Sequence, residues 1–293
     1  MTATLTNAPL AFHLNGIESR PIGPVGGRGR PLPAQLVLPP GRYTVHGKTY
    51  RLHSEGLYRF LNPGVGNQQR IIYRKDPLAL LSGIAWIASH GSRDHARPRT
   101  DWETLALREK VIITCGSVAT LTVDILTRQG IPARVVHGKT LEALNTYDNG
   151  HVLIEAWLDG RWTLVDPDVK MLFRRGRRRL SLVEFSEASQ TGDYTFERLS
   201  AATGIAVGCF EENGYDYGLF METTFCNEAC LRRWYKRIMM VPVIRAGGKW
   251  CITGTPSRMR KAARLYERDF AFYSRAEYLR EFYQPPTPGV AGG

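Results

Sequence analysis

The chain lacks the features of a secreted or membrane-spanning protein. It has five cysteines, an odd number at irregular spacing, which argues against a disulfide framework in a chain of 293 residues. Its start, MTATLTNAPLAFHLNGIESR, has no basic segment followed by an apolar stretch, so it does not resemble a signal peptide. The best apolar run, LALLSGIAWIA from Leu78, is shorter than the ~20 residues that span a bilayer. We therefore expect a cytoplasmic protein with no membrane span.

Acidic side chains are fewer than basic ones. Lys and Arg total 39 and Asp and Glu total 27, so the formal net charge is +12. This excess favours acidic partners, such as nucleic acid, anionic lipid, a phosphorylated substrate or an acidic carrier protein. Nucleic acid is not expected as the partner, because no nucleic-acid-binding motif accompanies the basic helical segments.

Composition divides the chain into three predicted regions. Residues 1–75 are rich in Gly and Pro and contain short β-type runs such as GRYTVHGKTYRL, which predict a β-rich N-terminal region. Residues 76–200 combine amphipathic helical segments with strand patterns, which predict a central region of mixed helices and strands. Residues 201–293 have helical spacing near their middle and again over 257–283, which predicts a mainly helical C-terminal extension.

Cys115 stands where an apolar run changes into a helical pattern. The apolar residues after it recur with helical spacing, and Gly130 and Pro132 predict where the helix stops. A helix N-terminus lowers the pKa of a thiol, because its unpaired amides and the macrodipole favour negative charge. Cys115 could thus be a nucleophile, although on its own a buried, inert thiol is the better interpretation.

Residues beyond the helix supply a base and a carboxylate. Three strands are predicted there, in the segments ARVVHG, HVLIEAWLDG and RWTLVDPD. The last two are joined at Asp159-Gly160, and a hairpin centred on that turn pairs residues whose numbers sum to about 319. His151 then lies within a step or two of Asp166, with Asp168 as the alternative if the register differs. Because a nucleophilic cysteine needs a base and the base needs an orienting group, Cys115, His151 and Asp166 are the predicted catalytic residues.

Together these residues resemble the catalytic core of the transglutaminase-like superfamily. Its bacterial members have a cysteine at a helix start, a GIPAR segment, His-x-x-x-Glu-x-aromatic, a Gly-Trp turn and Asp-Pro. The matching residues here are Cys115-Gly116, Gly130–Arg134, His151 with Glu155 and Trp157, Gly160 with Trp162, and Asp166-Pro167. The resemblance covers roughly residues 100 to 170.

The resemblance implies an α+β fold with a papain/transglutaminase-like core, in which the nucleophile helix packs on an antiparallel sheet. It implies a cysteine-dependent acyl-transfer enzyme, with Cys115 as nucleophile, His151 as general base and acid, and Asp166 as orienter. The acyl donor would be a peptide, a small amide or a carrier-bound acyl group, and the acceptor an amine or water. The basic surface suits an acidic donor. No metal or cofactor is expected. Many protein-crosslinking members carry Trp where this chain has Gly116, so crosslinking is not favoured.

Three alternatives stay open. One is a cysteine peptidase or amidase, and another, of a different class, is a catalytically silent module that binds a partner. The third is nucleic-acid binding through the arginine run, which would make binding strongly dependent on salt. The arginine run from Arg174 to Arg179 is either a solvated loop or a phosphate-binding loop that wraps at Gly176. Oligomeric state is not indicated by the sequence.

Several other polar residues have structural interpretations. Glu155 shares a strand face with His151 and is interpreted as a structural carboxylate rather than a second base. His137 is expected to be a surface or hydrogen-bonded residue. His90 and His95 could bind a metal only if other ligands converged on them, and Cys226–Cys230 (CNEAC) is interpreted as a pair of structural thiols.

Overall fold

The protein is known from a computed structural model, in which the chain forms two compact units. They are Met1–Ala88 with Ala96–Val111, and Ser89–His95 with Ile112–Gly293. The structure describes short strands between residues 2 and 58 and then residues 77–78, 80–81, 84, 88–106, 111–145, 148–199 and 228–286.

The first unit contains short strands and helical residues. Its strands are β1 (Thr2–Thr4), β2 (Leu10–Leu14), β3 (Ile17–Ile22), β4 (Leu36–Leu38), β5 (Gly41–Val45), β6 (Lys48–Leu52) and β7 (Gly56–Tyr58). β1, β5 and β6 form one sheet, while β2 pairs with β3 and β4 with β7. The described residues between 77 and 84 are helical, and helix α1 (Arg99–Ala106) buries Trp102.

The second unit is built on a large, mainly antiparallel sheet. Two short strands, β8 (Ala88–His90) and β9 (Val111–Ile113), precede the strands of this sheet in the sequence. Its own strands are β10 (Ala133–Lys139), β11 (Gly150–Leu158), β12 (Arg161–Asp166), β13 (Met171–Arg175), β14 (Arg178–Arg179), β15 (Thr195–Arg198), β16 (Val241–Ala246), β17 (Lys249–Thr253) and β18 (Phe270–Tyr273). The strand order is β14-β13-β12-β11-β10-β16-β17-β18, with β15 paired to β13, and only β17 and β18 run parallel.

Helices cover both faces of this sheet. They are α2 (Cys115–Arg128), α3 (Leu182–Thr191), α4 (Glu228–Ile238), α5 (Pro256–Tyr266) and α6 (Arg275–Phe282). α2 packs on β10 and β11, and its predicted apolar face is confirmed as buried. The helix ends at Arg128 with Gln129 as its C-cap, and the following Gly130 has a φ of 75°, in the left-handed region. α3, α4 and α6 share the opposite core, which includes Leu153, Phe173 and Tyr235.

The predicted hairpin register is confirmed. Ile154 pairs with Val165, so the residue numbers of the β11–β12 pair sum to 319. Asp159 and Gly160 form the turn with φ values of 52° and 75°, which suits the Asp-Gly dipeptide. This register brings the beginning of β11, with His151, to the end of β12, with Asp166.

The C-terminal region differs from the predicted helical extension. Its helices are present, but β16, β17 and β18 extend the central sheet, so residues 228–286 are part of that unit. The single helical pattern predicted over 257–283 is wrong, because Glu267 adopts φ 48° and ends α5 before β18 begins. Among the described residues, no helix is long and apolar enough to cross a bilayer. The predicted boundary between residues 200 and 201 falls in 200–227, outside the described residues.

The arginine run is a hairpin rather than a loop. β13 and β14 pair through Arg174 with Arg179 and Arg175 with Arg178, and Gly176 makes the turn with φ 58°. The sequence pattern gave no alternation of apolar and polar residues by which these short strands could be recognised.

Candidate active site

Cys115 is the first residue of α2. β9 ends at Ile113, and the extended Thr114 is the N-cap, whose carbonyl accepts the first helical hydrogen bond from the Val118 amide at 2.9 Å. The Thr114 side chain does not cap the helix amides. The half-buried thiol therefore lies beside unpaired amides at the positive end of the helix dipole.

His151 and Asp166 form a buried pair. His151 is 4 % exposed and Asp166 is 0 % exposed, and His151 Nε2 lies 2.7 Å from Asp166 Oδ2. Asp166 Oδ2 also accepts a hydrogen bond from the Tyr235 hydroxyl at 2.7 Å, while its Oδ1 accepts from the amides of Asp168 and Val169 at 3.1 and 3.0 Å. Burial favours the neutral carboxyl, but the charge of His151 and these hydrogen bonds outweigh it and lower the pKa of Asp166.

The His151 side chain links Asp166 to the thiol of Cys115. Its Nε2 is engaged by Asp166, and the imidazole also interacts with the Cys115 thiol, through a hydrogen bond and through charge. Burial opposes both charged forms. Asp166 nevertheless raises the pKa of His151 well above its ordinary value, and His151 lowers the pKa of Cys115. The arrangement thus favours a thiolate–imidazolium pair.

α4 supplies two further residues to this group. The Trp234 ring meets the His151 imidazole edge-on, with centroids 4.8 Å apart, and the adjacent Tyr235 is the hydroxyl donor to Asp166. The helical spacing of α4 predicts only that both residues face the core. The contact with Asp166 joins residues 69 positions apart, and no local pattern signals it.

A second histidine–aspartate pair lies beside the first. His90 Nδ1 is 2.6 Å from Asp168 Oδ2, and both side chains are buried. The Gly91 amide donates to the Ile113 carbonyl at 3.2 Å, which holds the end of β8 next to the start of α2. Burial would lower the pKa of His90, but Asp168 outweighs it and the pKa is raised. The alternative orienter named from the sequence, Asp168, thus contacts a different histidine.

The other histidines have separate partners. His95 Nδ1 lies 2.9 Å from Ser117 Oγ, and His137 stacks near Trp250 with centroids 5.0 Å apart. Burial, followed by the charges of Lys139 and Arg245, lowers the pKa of His137 to about 4. Since His90 and His95 have different partners, they do not form a metal pair. In the part of the chain that the structure describes, no three His, Cys, Asp or Glu residues gather as metal ligands.

Glu155 has a structural environment. It lies directly across from Arg134, whose Nε and Nη2 donate to Glu155 Oε2 at 2.9 and 2.6 Å. Glu155 Oε1 accepts from the Leu182 amide and the Tyr283 hydroxyl, and Arg134 also donates to the Phe282 carbonyl at 2.5 Å. The GIPAR arginine and the glutamate four residues after His151 therefore tie α3 and the end of α6 to the sheet.

The CNEAC segment is described only in part. Cys230 lies in α4 and is half-buried, with Arg233 Nη2 3.1 Å from its sulfur. Cys226 lies outside the described residues, so the expectation that the two thiols are structural stays a prediction.

One protein family matches the part of the chain that contains Cys115, His151 and Asp166. Residues 82–167 match the family model of the transglutaminase-like superfamily. This segment is transglutaminase-like. The match includes Cys115 and His151 and ends directly after Asp166, so the resemblance predicted from the motifs is confirmed for this part of the chain. Comparisons with curated proteins and with solved structures gave no significant match.

Proposed function

We propose that the protein is a cysteine-dependent acyl-transfer enzyme with Cys115 as nucleophile, His151 as general base and acid, and Asp166 as orienter. The observation that carries this proposal is the buried His151–Asp166 pair, whose imidazole interacts with the Cys115 thiol at the start of α2. The three residues come from a helix start and two paired strand ends, so their meeting depends on the fold as a whole. The transglutaminase-like match over residues 82–167 supports the same chemistry.

The first half of the reaction would form an acyl-enzyme. The Cys115 thiolate attacks the carbonyl carbon of an amide or thioester, and the π electrons move onto the carbonyl oxygen. Backbone amides at the start of α2 would stabilise that oxyanion. When the intermediate collapses, the bond to the leaving group breaks, and His151 gives its proton to the departing amine or thiolate. A thioester on Cys115 and a neutral His151 remain.

The second half would return the enzyme to its starting state. Neutral His151 removes a proton from water or from an acceptor amine as it attacks the thioester carbonyl. The Cys115 thiolate then leaves, and the imidazolium–thiolate pair is restored. Asp166 stabilises the imidazolium in both halves, while the hydrogen bonds from Tyr235 and from two backbone amides hold the carboxylate in place.

Mass spectrometry of the intact protein tests the nucleophile. Wild type, Cys115→Ala and the control Cys230→Ala are treated with iodoacetamide and then, in separate samples, with thioesters and peptides; peptide mapping localises each adduct. We expect fast alkylation and a trapped acyl group at Cys115 in wild type and in the control, and neither in Cys115→Ala. An unchanged acyl adduct in Cys115→Ala would contradict the proposal.

The fate of the trapped acyl group separates transfer from hydrolysis. An adduct that decays only when an amine is added indicates a transferase, whereas decay in water alone indicates an amidase or peptidase. A wild-type protein that gives no acyl adduct with any donor, and whose cellular function survives Cys115→Ala, would favour the silent binding module.

A further inference from the structure

Three cationic side chains surround one tryptophan ring in the second unit. The distances to the centroid of the Trp250 ring are 5.5 Å from Lys139 Nζ, 5.5 Å from Arg245 Cζ and 5.1 Å from Arg268 Cζ. We call these four residues the Trp250 cluster. Such distances allow cation–π attraction, but the three like charges also repel one another.

No described carboxylate forms an ion pair with any of these three cations. Arg245 and Arg268 are exposed, and Lys139 is half-buried. The neutral His137 ring, also stacked near Trp250, lies within their field, since the charges of Lys139 and Arg245 add to burial in holding its pKa at about 4. The cluster therefore carries positive charge that no described acidic side chain neutralises.

The arginine hairpin has the opposite character. The hairpin contains more basic residues than the Trp250 cluster, but most of them form ion pairs. The pairs are Arg174 and Arg179 with Glu197, Arg179 with Asp159, Arg175 with Asp193, and Arg178 with Glu184. The hairpin also lies near the Asp159 turn, at the opposite end of β11 from His151. Most of the positive charge of the hairpin therefore takes part in ion pairs that stabilise the fold.

Lys139 brings the Trp250 cluster to the start of β11, the strand that carries His151. Lys139 is directly opposite Gly150, the residue before His151, and a Cβ on Gly150 would be 3.4 Å from Lys139 Nζ. The cluster is on the α2 side of the sheet, because Val152 faces Gly116 and is paired with His137, two residues before Lys139. Burial and the charge of Arg268 lower the pKa of Lys139, while the charge of Cys115 raises it.

We infer that the Trp250 cluster binds an anionic group, a phosphate or a carboxylate, on the substrate that Cys115 attacks. This inference rests on the proposed function of Cys115. An anion held between Lys139 and Arg268 relieves the repulsion of the like charges and places the adjoining acyl group near the thiol. The same field increases the local concentration of acidic substrates at the site.

Alkylating reagents of different charge test the inference. In each reaction the Cys115 thiolate displaces iodide and forms a C–S bond, with anionic iodoacetate or with neutral iodoacetamide. The ratio of the two rate constants at Cys115 is compared in wild type, in Lys139→Gln/Arg268→Gln, and in the control Arg177→Gln/Arg178→Gln, which loses the same charge from the arginine hairpin. Using both reagents on each protein corrects for differences in thiol reactivity.

We expect the iodoacetate/iodoacetamide ratio to fall about tenfold in the cluster variant and to stay unchanged in the hairpin variant. Added salt should reduce the wild-type ratio, because it screens the exposed charges. A ratio equal to that of wild type in the cluster variant, with iodoacetamide labelling intact, would overturn the inference alone. A wild-type Cys115 that reacts with neither reagent would overturn the proposed function as well.

Protection experiments distinguish the two sources of negative charge. Inorganic phosphate and acetate, at equal ionic strength, are compared for their ability to slow iodoacetamide labelling of wild-type Cys115. Stronger protection by phosphate supports the inference with a phosphorylated substrate, and stronger protection by acetate supports it with a carboxylate. Protection that persists in Lys139→Gln/Arg268→Gln would contradict the assignment to this cluster.

Discussion

Two buried histidine–aspartate pairs come from one turn, and they have different surroundings. Asp166 and Asp168 stand on either side of Pro167, and each contacts a histidine, at 2.7 Å for His151 and 2.6 Å for His90. Asp166 accepts four hydrogen bonds. Asp168 Oδ1 has no hydrogen-bond partner among the described residues.

The difference shows that the contact of a histidine with an aspartate does not by itself define an active site. His151 interacts with Cys115 by a hydrogen bond and by charge, whereas His90 affects the thiol through charge alone. The surroundings also differ, because Trp234 packs against the His151 ring and the Tyr235 hydroxyl donates a hydrogen bond to Asp166. We therefore propose that the first pair controls the protonation of Cys115, while the second only adds to the local field.

Replacing the histidines should give the largest difference between the pairs. An ordinary thiol with a pKa of about 8.5 is less than about 1 % thiolate at pH 6. Because His151 lowers the pKa of Cys115, His151→Ala should slow iodoacetamide labelling at pH 6 by about 100-fold. His90→Gln should slow it by less than about threefold, since the variant loses one charge effect on the thiol but no hydrogen bond to it. Equal losses in the two variants would contradict the distinction.

Removing the Tyr235 hydroxyl, which donates to Asp166, should have a moderate effect on Cys115 labelling. Tyr235→Phe keeps the ring but leaves the buried carboxylate with one hydrogen bond fewer, so we expect the free energy of unfolding to fall by about 2 kcal/mol. Labelling of Cys115 at pH 6 should slow by roughly threefold, as His151 loses part of its support. The control is Tyr278→Phe, whose hydroxyl donates to the Cys251 carbonyl at 3.3 Å. It should not change the labelling rate; a rate loss equal to that of Tyr235→Phe would point to general destabilisation.

Glu155 should have the smallest effect on the thiol. Its carboxylate is fully buried against Arg134, so Glu155→Gln should lower the free energy of unfolding by about 3 kcal/mol, as breaking a buried pair does. The pH dependence of Cys115 labelling should match that of wild type, because Glu155 touches neither His151 nor the thiol. Chemical denaturation and iodoacetamide kinetics measure the two quantities separately. A shift in the pH profile of Cys115 labelling would mean that Glu155 acts together with His151 and Asp166.

Local sequence signals predict the first part of the site well. Helical spacing places Cys115 at a helix start, and the Asp159-Gly160 turn sets the register that brings His151 to Asp166. The same signals leave Asp166 and Asp168 as alternatives, because both lie within a residue or two of the predicted pairing. Only the three-dimensional arrangement assigns one carboxylate to each histidine.

The other contacts of the candidate site depend on packing between residues far apart in the sequence. His90 and Asp168 are 78 positions apart, and Tyr235 and Asp166 are 69 apart, so neither contact follows from a turn or a periodic pattern. Charge composition is equally limited, since +12 does not reveal that the arginine hairpin is largely paired while the Trp250 cluster is not. Glu197, the partner of Arg174 and Arg179, reaches the hairpin through the pairing of β13 with β15.

The most direct test of the account is the pH dependence of iodoacetamide labelling at Cys115 in Asp166→Asn and Asp168→Asn. Asp166 raises the pKa of His151, and the His151 charge lowers the pKa of Cys115, so losing the Asp166 charge should raise the labelling pKa. Asp168 acts on the thiol in the opposite sense, and its replacement should leave the labelling pKa at or below the wild-type value. An unchanged pKa in Asp166→Asn, or an equal rise in Asp168→Asn, would contradict the assignment of Cys115, His151 and Asp166 as one catalytic group.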